Sequence, residues 1–141
     1  MASHRHLSRT IVVQTIFAWE FRANDPMEIL AYLMDEFGEK VEEKDFSKKL
    51  LQGIFDHKKN IEAEIQESAP EWPLNRIAAI DRAILELGVY ELLYEEEIPP
   101  LVTINECVEL AKEMGNENSH KFVNGVLSTI MHKHNKNEKK I

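Results

Sequence analysis

The stretch at 102–127, VTINECVELAKEMGNENSHKFVNGVL, constrains the fold most, because it carries the start and stop signals of two helices. Thr103 followed by Glu106 is the pattern of a capping box, in which two side chains satisfy backbone N–H groups at a helix start. Gly115 stands where a helix commonly ends in a left-handed residue, and Ser119 suits the N-cap of the next helix. The pattern predicts a capped helix, a tight turn and a second capped helix.

The apolar residues of these two helices recur at helical spacing and define one buried face on each. They are Ile104, Cys107, Val108, Ala111 and Met114 in the first helix, and Val123, Val126, Leu127 and Ile130 in the second. Phe122 lies on the flank of the second stripe, and Gly125 is a mid-helix glycine of the kind that permits a close approach. Two interpretations stay open for this flank. Either Phe122 is a core-edge residue and Gly125 admits a neighbouring helix, or the ring stands beside a polar, basic spot suited to stacking an unpaired base.

The rest of the chain is predicted to form five further helices. The first runs over about 8–21, the second follows an N-cap at Asp25 and ends at Gly38, and a third, longer helix carries an apolar stripe over 46–65. A short helix follows Pro73, and another starts near Ile80 with Asp81 in its first turn, where the helix dipole favours a carboxylate. The expected fold is all-α, with two packed bundles at about 8–68 and 73–133, of three and four helices.

The length of 141 residues fits one domain, predicted here over 1–135 with a flexible tail at 136–141. The single cysteine, Cys107, cannot form an internal disulfide and falls on an apolar helix face, which indicates a packing residue. No apolar run approaches a membrane span, and the first residues lack the apolar core of a signal peptide. These features predict a cytoplasmic protein that makes no membrane contact.

The net charge of −8 argues against a nucleic-acid partner unless the cations are clustered. They are concentrated at the two ends of the chain. Residues 1–19 hold Arg5 and Arg9, two histidines and no acid, whereas residues 131–141 hold four lysines and one glutamate. The two arginines are four positions apart and share a face if the first helix extends back to them. The alternative for this basic arm is a solvated chain end.

Patterns of catalytic and cofactor sites are absent from the sequence. It contains no glycine-rich phosphate loop, no Cys-x-x-Cys pair and no nucleophile elbow. His132 and His134 stand two apart at a helix end and do not converge on one metal ion. The many carboxylates are distributed as solvated helix faces, without an evident partner for acid–base catalysis. The chain is therefore predicted to be neither an enzyme nor a binder of metals or cofactors.

Three segments resemble the NusB family of bacterial transcription antitermination factors. INECVELAKEMGNENSHKFVNGVL, preceded by IPPLVT, is similar to the family's C-terminal signature; WPLNRIAAIDRAILELGVYEL resembles its central segment, and RTIVVQTIFAWE its first helix. The resemblance covers nearly the whole chain in order. It implies an RNA-binding adaptor that joins small-subunit ribosomal protein S10 (NusE) on single-stranded boxA-type RNA. Such an adaptor helps RNA polymerase in the elongation complex to read through terminators, notably in ribosomal RNA operons.

The resemblance also assigns residues to two surfaces. The RNA side comprises Arg5, Arg9, Asn118, Lys121 and Phe122, and the protein-partner side comprises Phe17, Asp81 and Glu91. This chain departs from the family pattern at position 17, where tyrosine is common, and in the arm, which is often denser in arginine. The histidines in the arm, His4 and His6, are expected to gain charge as the pH falls through about 6.5 and to strengthen phosphate contacts. A protein-interaction adaptor without RNA binding, or a homodimer that hides the RNA face, is the alternative function.

Overall fold

The computed structural model describes residues 5–22, 24–37 and 44–134, and within these ranges its regular elements are helices. In chain order they are α1 (Arg5–Arg22), α2 (Pro26–Phe37), α3 (Lys44–Asp56), α4 (Lys58–Ser68), a single 3₁₀ turn (Leu74–Arg76), α5 (Ala79–Tyr94), α6 (Pro100–Met114) and α7 (Ser119–Lys133). The all-α prediction is confirmed. His4, the predicted end of the second helix at Gly38 and the predicted tail at 136–141 lie outside the described residues.

The start of α2 was predicted correctly from the sequence, whereas the start of α1 was not. α1 begins at Arg5, three residues before the predicted start at Ser8, so the end of the basic arm is helical. α2 begins at Pro26 as expected, and the backbone N–H of Met27 donates to Asp25 Oδ1 at 3.0 Å. Asp25 is thus the predicted N-cap, and proline occupies a position where its missing N–H costs nothing.

The long helix predicted over 46–65 is in fact two helices, interrupted at His57. This residue has φ −112° and ψ 19°, and its ring stacks on Tyr94 with 3.9 Å between ring centroids. α3 packs against α1, α2 and α5, whereas α4 packs against α5 and α7. The apolar stripe continues across the interruption, because Ile54 before it and Ile61 after it are both fully buried. Periodicity alone therefore could not reveal the break.

The centre of the molecule is α5, which packs against α1, α3, α4, α6 and α7. Eleven residues of this helix are buried, including the predicted core positions Ile84, Leu85, Leu87, Val89 and Leu92. A helix that is buried on all sides belongs to the interior and not to a surface layer. One continuous hydrophobic cluster joins side chains from both predicted bundles through α5. The two halves consequently share a core.

The starts of α6 and α7 differ from the predicted capping. α6 begins at Pro100, so Thr103 lies inside the first turn, where it is buried and its hydroxyl donates to Glu91 Oε1 at 2.8 Å. The Thr103–Glu106 capping box is therefore wrong. Gly115 has φ −95°, an extended and not a left-handed conformation. Ser119 is the first residue of α7, and its hydroxyl accepts the backbone N–H of Asn116, which holds the turn instead of capping the helix.

Candidate functional site

Two of the residues assigned to surfaces, Arg9 and Glu91, form a buried pair with each other. Arg9 is 1% exposed and Glu91 is 0% exposed. Arg9 donates from Nε to Glu91 Oε2 at 2.7 Å and from Nη2 to Glu91 Oε1 at 3.0 Å. The Thr103 hydroxyl completes the arrangement, so α1, α5 and α6 meet at one carboxylate. The expected surface position of both residues is wrong, because this fork-to-fork pairing takes both side chains into the core.

The start of α1 is held by contacts of its own. The Arg5 guanidinium carbon lies 4.1 Å from the centroid of the Phe46 ring on α3, a cation–π arrangement. His6 interacts with Glu106 through Nδ1 and with Glu113 through Nε2, each at 3.0 Å. Partial burial disfavours the charged imidazole, but the two carboxylates outweigh it and raise the pKa of His6 above its usual value. The two ring nitrogens of His6 are thus engaged by carboxylates, contrary to its expected role as a phosphate ligand.

A cavity of about 470 Å³ opens where the start of α5 faces the turn between α6 and α7. One wall is formed by Trp72, Arg76 and residues 77–78, which precede α5. The other comes from residues 116–119 and Phe122, and Asp81 closes the space between them. The cavity thus brings together Asn118 and Phe122, assigned to the RNA side, and Asp81, assigned to the partner side.

The aromatic part of the cavity is a corner made by two rings. Trp72 and Phe122 meet edge to face, with 6.2 Å between centroids and 69° between planes. Phe122 is partly buried and packs against the core, whereas Trp72 is half exposed. Phe122 lies at the core edge, as the first interpretation of the sequence predicted, and it also lines the cavity. Trp72 and Arg76 were missed at the sequence level, although a tryptophan between Glu71 and Pro73 in a turn was a usable signal.

Asp81 contributes a carboxylate whose side-chain oxygens have no hydrogen-bond or ion-pair partner among the described residues. The residue is 7% exposed, and its Oδ1 is buried without a hydrogen-bond partner. Buried polar atoms are nearly always paired in native proteins, so an unpaired acceptor requires an explanation. The predicted location in the first turn of α5 is confirmed, and the helix dipole there favours the negative charge.

The outer face of α7 continues the surface beyond the cavity. Asn118 and Lys121 are both exposed, and the backbone N–H of Asn118 donates to Asn116 Oδ1 at 2.8 Å. A Cβ atom placed on Gly125 would meet nothing within 4 Å. Within the part of the chain that the structure describes, this glycine therefore admits no neighbouring helix, and it leaves an exposed strip of backbone one turn beyond Lys121.

Aromatic side chains also lie exposed on α1. Phe17 is 37% exposed and Phe21 is 70% exposed, and their rings meet edge to face with centroids 5.0 Å apart. Between them in sequence, Glu20 forms an ion pair with Arg82, the residue after Asp81. This ion pair links the part of α1 that carries the aromatic pair to the start of α5.

Metal-binding clusters and membrane-spanning helices are absent from the ranges of the chain that the structure describes. Across residues 5–22, 24–37 and 44–134, no group of three or more His, Cys, Asp or Glu side chains is placed to hold a metal ion. None of the helices formed by those residues has the length and apolar character needed to cross a membrane. Cys107 is fully buried against the core, and burial raises the pKa of its thiol well above the usual value.

Two helical halves that share one buried central helix define this chain as an all-α protein of the two-bundle type. The family model for the NusB family matches residues 6–132. The chain therefore belongs to the NusB family.

Individual relatives agree with this assignment along nearly the whole chain. The transcription antitermination protein NusB of Fervidobacterium nodosum is 39% identical over 139 residues, which are 99% of this chain and 98% of that protein. The solved structure of T. maritima NusB matches with a TM-score of 0.86 and 38% identity, covering 98% of this chain and 99% of that chain. A crystal structure of the antitermination factors NusB and NusE in complex with double-stranded RNA matches with a TM-score of 0.85 and 28% identity, covering 94% of this chain and 99% of that chain.

Proposed function

We propose that this protein is a transcription antitermination factor that binds boxA-type single-stranded RNA together with small-subunit ribosomal protein S10 (NusE). It acts in the cytoplasm on the elongation complex and promotes read-through by RNA polymerase, notably in ribosomal RNA operons. The observation that carries the proposal is the similarity to a NusB that was crystallised with NusE and RNA. It works as a binding adaptor and requires neither catalysis nor a cofactor.

The proposed RNA surface consists of Asn118, Lys121 and Phe122 with the cavity beside them. An aromatic ring next to exposed polar and cationic groups can stack an unpaired base while a cation meets the phosphate. The RNA of the NusB–NusE crystal structure is double-stranded, whereas an aromatic cavity accepts a base only when it is unpaired. Arg5 is kept as a second, separate phosphate contact at the start of α1. Arg9 is omitted because its guanidinium is buried on Glu91.

The proposed protein-partner surface is centred on Phe17 and Phe21. Aromatic side chains are enriched at the centres of protein interfaces, because they bury much apolar area at a small cost in conformational entropy. The Glu20–Arg82 ion pair connects this surface to the start of α5. An S10 molecule seated on α1 would therefore lie next to RNA bound at the cavity. Glu91 is omitted from this surface because it is fully buried.

A titration of boxA-type RNA, with and without S10, tests the proposal. RNA binding by the chain alone should be measurable at low salt and should tighten when S10 is added. Because the net charge is −8, binding should depend on the few cations near the cavity and should fall steeply with salt. Lys121→Ala should reduce the slope of log affinity against log salt by about 0.7, whereas the exposed α4 control Lys59→Ala should not change it.

Two outcomes would point to the alternative function. If S10 binds and RNA does not, with or without S10, the protein is an interaction adaptor only. If RNA binding appears only on dilution, as a dimer seen by analytical ultracentrifugation dissociates, a homodimer hides the RNA face.

A further inference from the structure

The turn between α4 and α5 holds a tryptophan in a fixed and half-exposed position. The Gln66 side chain of α4 donates from Nε2 to the Trp72 carbonyl oxygen at 2.9 Å and accepts the backbone N–H of Leu74 at 3.0 Å. The backbone N–H of Trp72 donates to the Ala69 carbonyl oxygen at 3.0 Å. The fold thus fixes the backbone on both sides of the tryptophan, although the side chain is 50% exposed. A ring presented in this way loses little conformational entropy when a ligand binds to it.

Trp72 lines the cavity of about 470 Å³ beside Phe122. The planes of the two rings meet at 69°, with 6.2 Å between their centroids, so the rings form a corner. A planar base fits such a corner with its face on one ring and its edge on the other, which are the two arrangements that aromatic groups prefer. Proteins commonly hold unpaired nucleotides by stacking the bases on aromatic side chains. The corner therefore suits one unpaired base.

Two exposed cations flank this corner. Arg76 lines the cavity on the side of Trp72, and Lys121 precedes Phe122 on the other side. Neither cationic side chain forms a hydrogen bond or ion pair with another described residue. The two charges match those of Asp81 and Glu117, the carboxylates that also line the cavity. A phosphate can therefore approach the corner in spite of the net charge of −8.

We propose that Trp72 and Arg76 are RNA-binding residues: the corner of Trp72 and Phe122 holds one unpaired base of the bound RNA, and the Arg76 guanidinium contacts an adjoining phosphate. The inference rests on the proposed RNA-binding function and extends its surface from α7 to the turn before α5. Asp81 makes no contact with the base and stays on the proposed protein-partner side. Because every base has a face that can stack, the corner selects an unpaired base and not a base sequence.

An apolar side chain of the protein partner is the competing occupant of the corner. The two cations favour RNA, because an apolar side chain gains nothing from them, whereas each nucleotide carries a phosphate. Asn118, which lines the cavity, adds an exposed amide, a group that often binds phosphate and sugar oxygens. The experiments below distinguish the two occupants.

Tryptophan fluorescence tests the base contact directly, because the chain has two tryptophans that can be separated. In the Trp19→Phe variant of the full chain, boxA-type RNA of about 12 nucleotides should quench the emission of Trp72 as a base stacks on the indole. In the matched Trp72→Phe variant, Trp19 packs on Phe55 in the first half and should keep its emission. The same titrations are repeated on the complex with S10, and a variant without either tryptophan is the blank for any signal from S10.

Substitution measures how much the corner contributes to RNA affinity. Trp72→Ala should weaken RNA binding by about 5- to 150-fold, the range for one stacked base, whereas Trp72→Phe should keep most of the affinity. Trp72→Ala combined with Phe122→Ala should weaken binding by less than the product of the two single effects, because both rings contact the same base.

A salt titration tests the phosphate contact of Arg76. Arg76→Ala should reduce the slope of log affinity against log salt by about 0.7, the value for one phosphate of a single strand. Arg22→Ala is the matched control, because it removes the same charge at an exposed position at the end of α1 and should leave the slope unchanged. Equal slopes for Arg76→Ala and the parent would mean that Arg76 meets no phosphate.

The possible results separate this inference from the function on which it rests. If RNA binds but leaves the emission of Trp72 unchanged, or Trp72→Ala keeps the RNA affinity of the parent, the corner holds no base and the proposed function stands. If no RNA binds, with or without S10, both fail. If Trp72→Ala weakens S10 binding and leaves RNA binding intact, the corner belongs to the protein interface and the inference is overturned. The fluorescence titration keeps both rings of the corner in place, so it decides the matter even if Trp72→Ala does not fold.

Discussion

At the scale of single residues, Phe122 makes two kinds of contact, one with the core and one with the cavity. If its ring stacks on a base, Phe122→Ala should weaken RNA binding by about 1–3 kcal/mol. The free energy of unfolding should fall by less than the roughly 3–5 kcal/mol typical of a fully buried phenylalanine, because the side chain is only partly buried. Fluorescence anisotropy with labelled RNA measures the change in RNA affinity, and urea unfolding measures the change in the free energy of unfolding. Tyr32→Ala, at a 65% exposed ring on α2, is the aromatic control. A variant with a severe loss of stability but normal RNA binding would assign Phe122 to the core alone.

The contacts of His6 make the stability of the protein depend on pH. The two carboxylates raise the pKa of His6 against the opposing effect of burial. The stabilisation is therefore fully present below the unfolded-state pKa of about 6.5 and is lost as the pH rises through the higher folded-state pKa. His6→Gln should lower the free energy of unfolding more at about pH 6 than at about pH 8.5. Urea unfolding at the two pH values measures this, with exposed His132→Gln as control. An equal loss at both pH values would mean that the charged form contributes nothing.

Residue roles divide sharply between those that the sequence reveals and those that it does not. Helical spacing identified the buried stripe of Val123, Val126, Leu127 and Ile130, because burial on a helix face depends on local order in the chain. The partner of Arg9 lies 82 positions away, so no local pattern could distinguish a buried arginine from a solvated one. For Asp81 the sequence predicted its position in the first turn of a helix. The orphaned oxygen and the cavity around it depend on a second segment, at 116–122, and were not predictable.

At the scale of elements, two glycines on different helices mark opposite kinds of contact. A Cβ on Gly53 of α3 would collide with the ring of Tyr90 on α5, whereas one on Gly125 of α7 would meet open space. Gly53→Ala should therefore lower the free energy of unfolding by about 1–3 kcal/mol through overpacking. Gly125→Ala should raise it by about 1 kcal/mol, because alanine is the better helix former.

Thermal and urea unfolding of the two variants give these values, and RNA titration adds a second result for Gly125→Ala. If RNA passes close to the exposed backbone of α7, this variant should bind RNA more weakly although it is more stable. A Gly125→Ala variant with unchanged RNA affinity would place the RNA path away from that turn of the helix. A Gly53→Ala variant as stable as the parent would mean that α3 and α5 separate easily.

The elements themselves were predicted better than their ends. Asp25 was recognised as a cap because its side chain bonds to the next residues of its own chain. Thr103 was misread as a cap because its hydroxyl is taken by Glu91, on a different helix. The break at His57 was missed because the buried stripe continues across it. Local signals therefore predict a helix end only where no distant side chain competes for the same group.

At the scale of the whole molecule, the shared core predicts one cooperative unfolding transition in place of two. The chain has two tryptophans, and each reports on a different half. Trp19 packs on Phe55 in the first half, and Trp72 packs on Phe122 beside the second. Single-tryptophan variants, Trp72→Phe and Trp19→Phe, should give coincident urea transitions by fluorescence and by circular dichroism.

Breaking the buried Arg9–Glu91 pair extends the urea unfolding experiment on the single-tryptophan variants. Arg9→Met leaves the Glu91 carboxylate buried without its cation, which typically costs about 3–5 kcal/mol. Because the pair joins α1 to α5, both tryptophan reporters should shift to lower urea by the same amount. Transitions that separate, with only Trp19 affected, would show that the halves unfold independently.

The pairing of Arg9 with Glu91 also bears on how the protein is made. The two residues are 82 positions apart, and α5 is one of the helices against which α1 packs. At a synthesis rate of about 5–20 residues per second, Glu91 is added roughly 4–16 s after Arg9 and leaves the ribosome tunnel later still. Throughout that interval the nascent first half has no central helix on which to close its apolar faces. We therefore expect the amino-terminal helices to remain a substrate for ribosome-associated chaperones until α5 emerges.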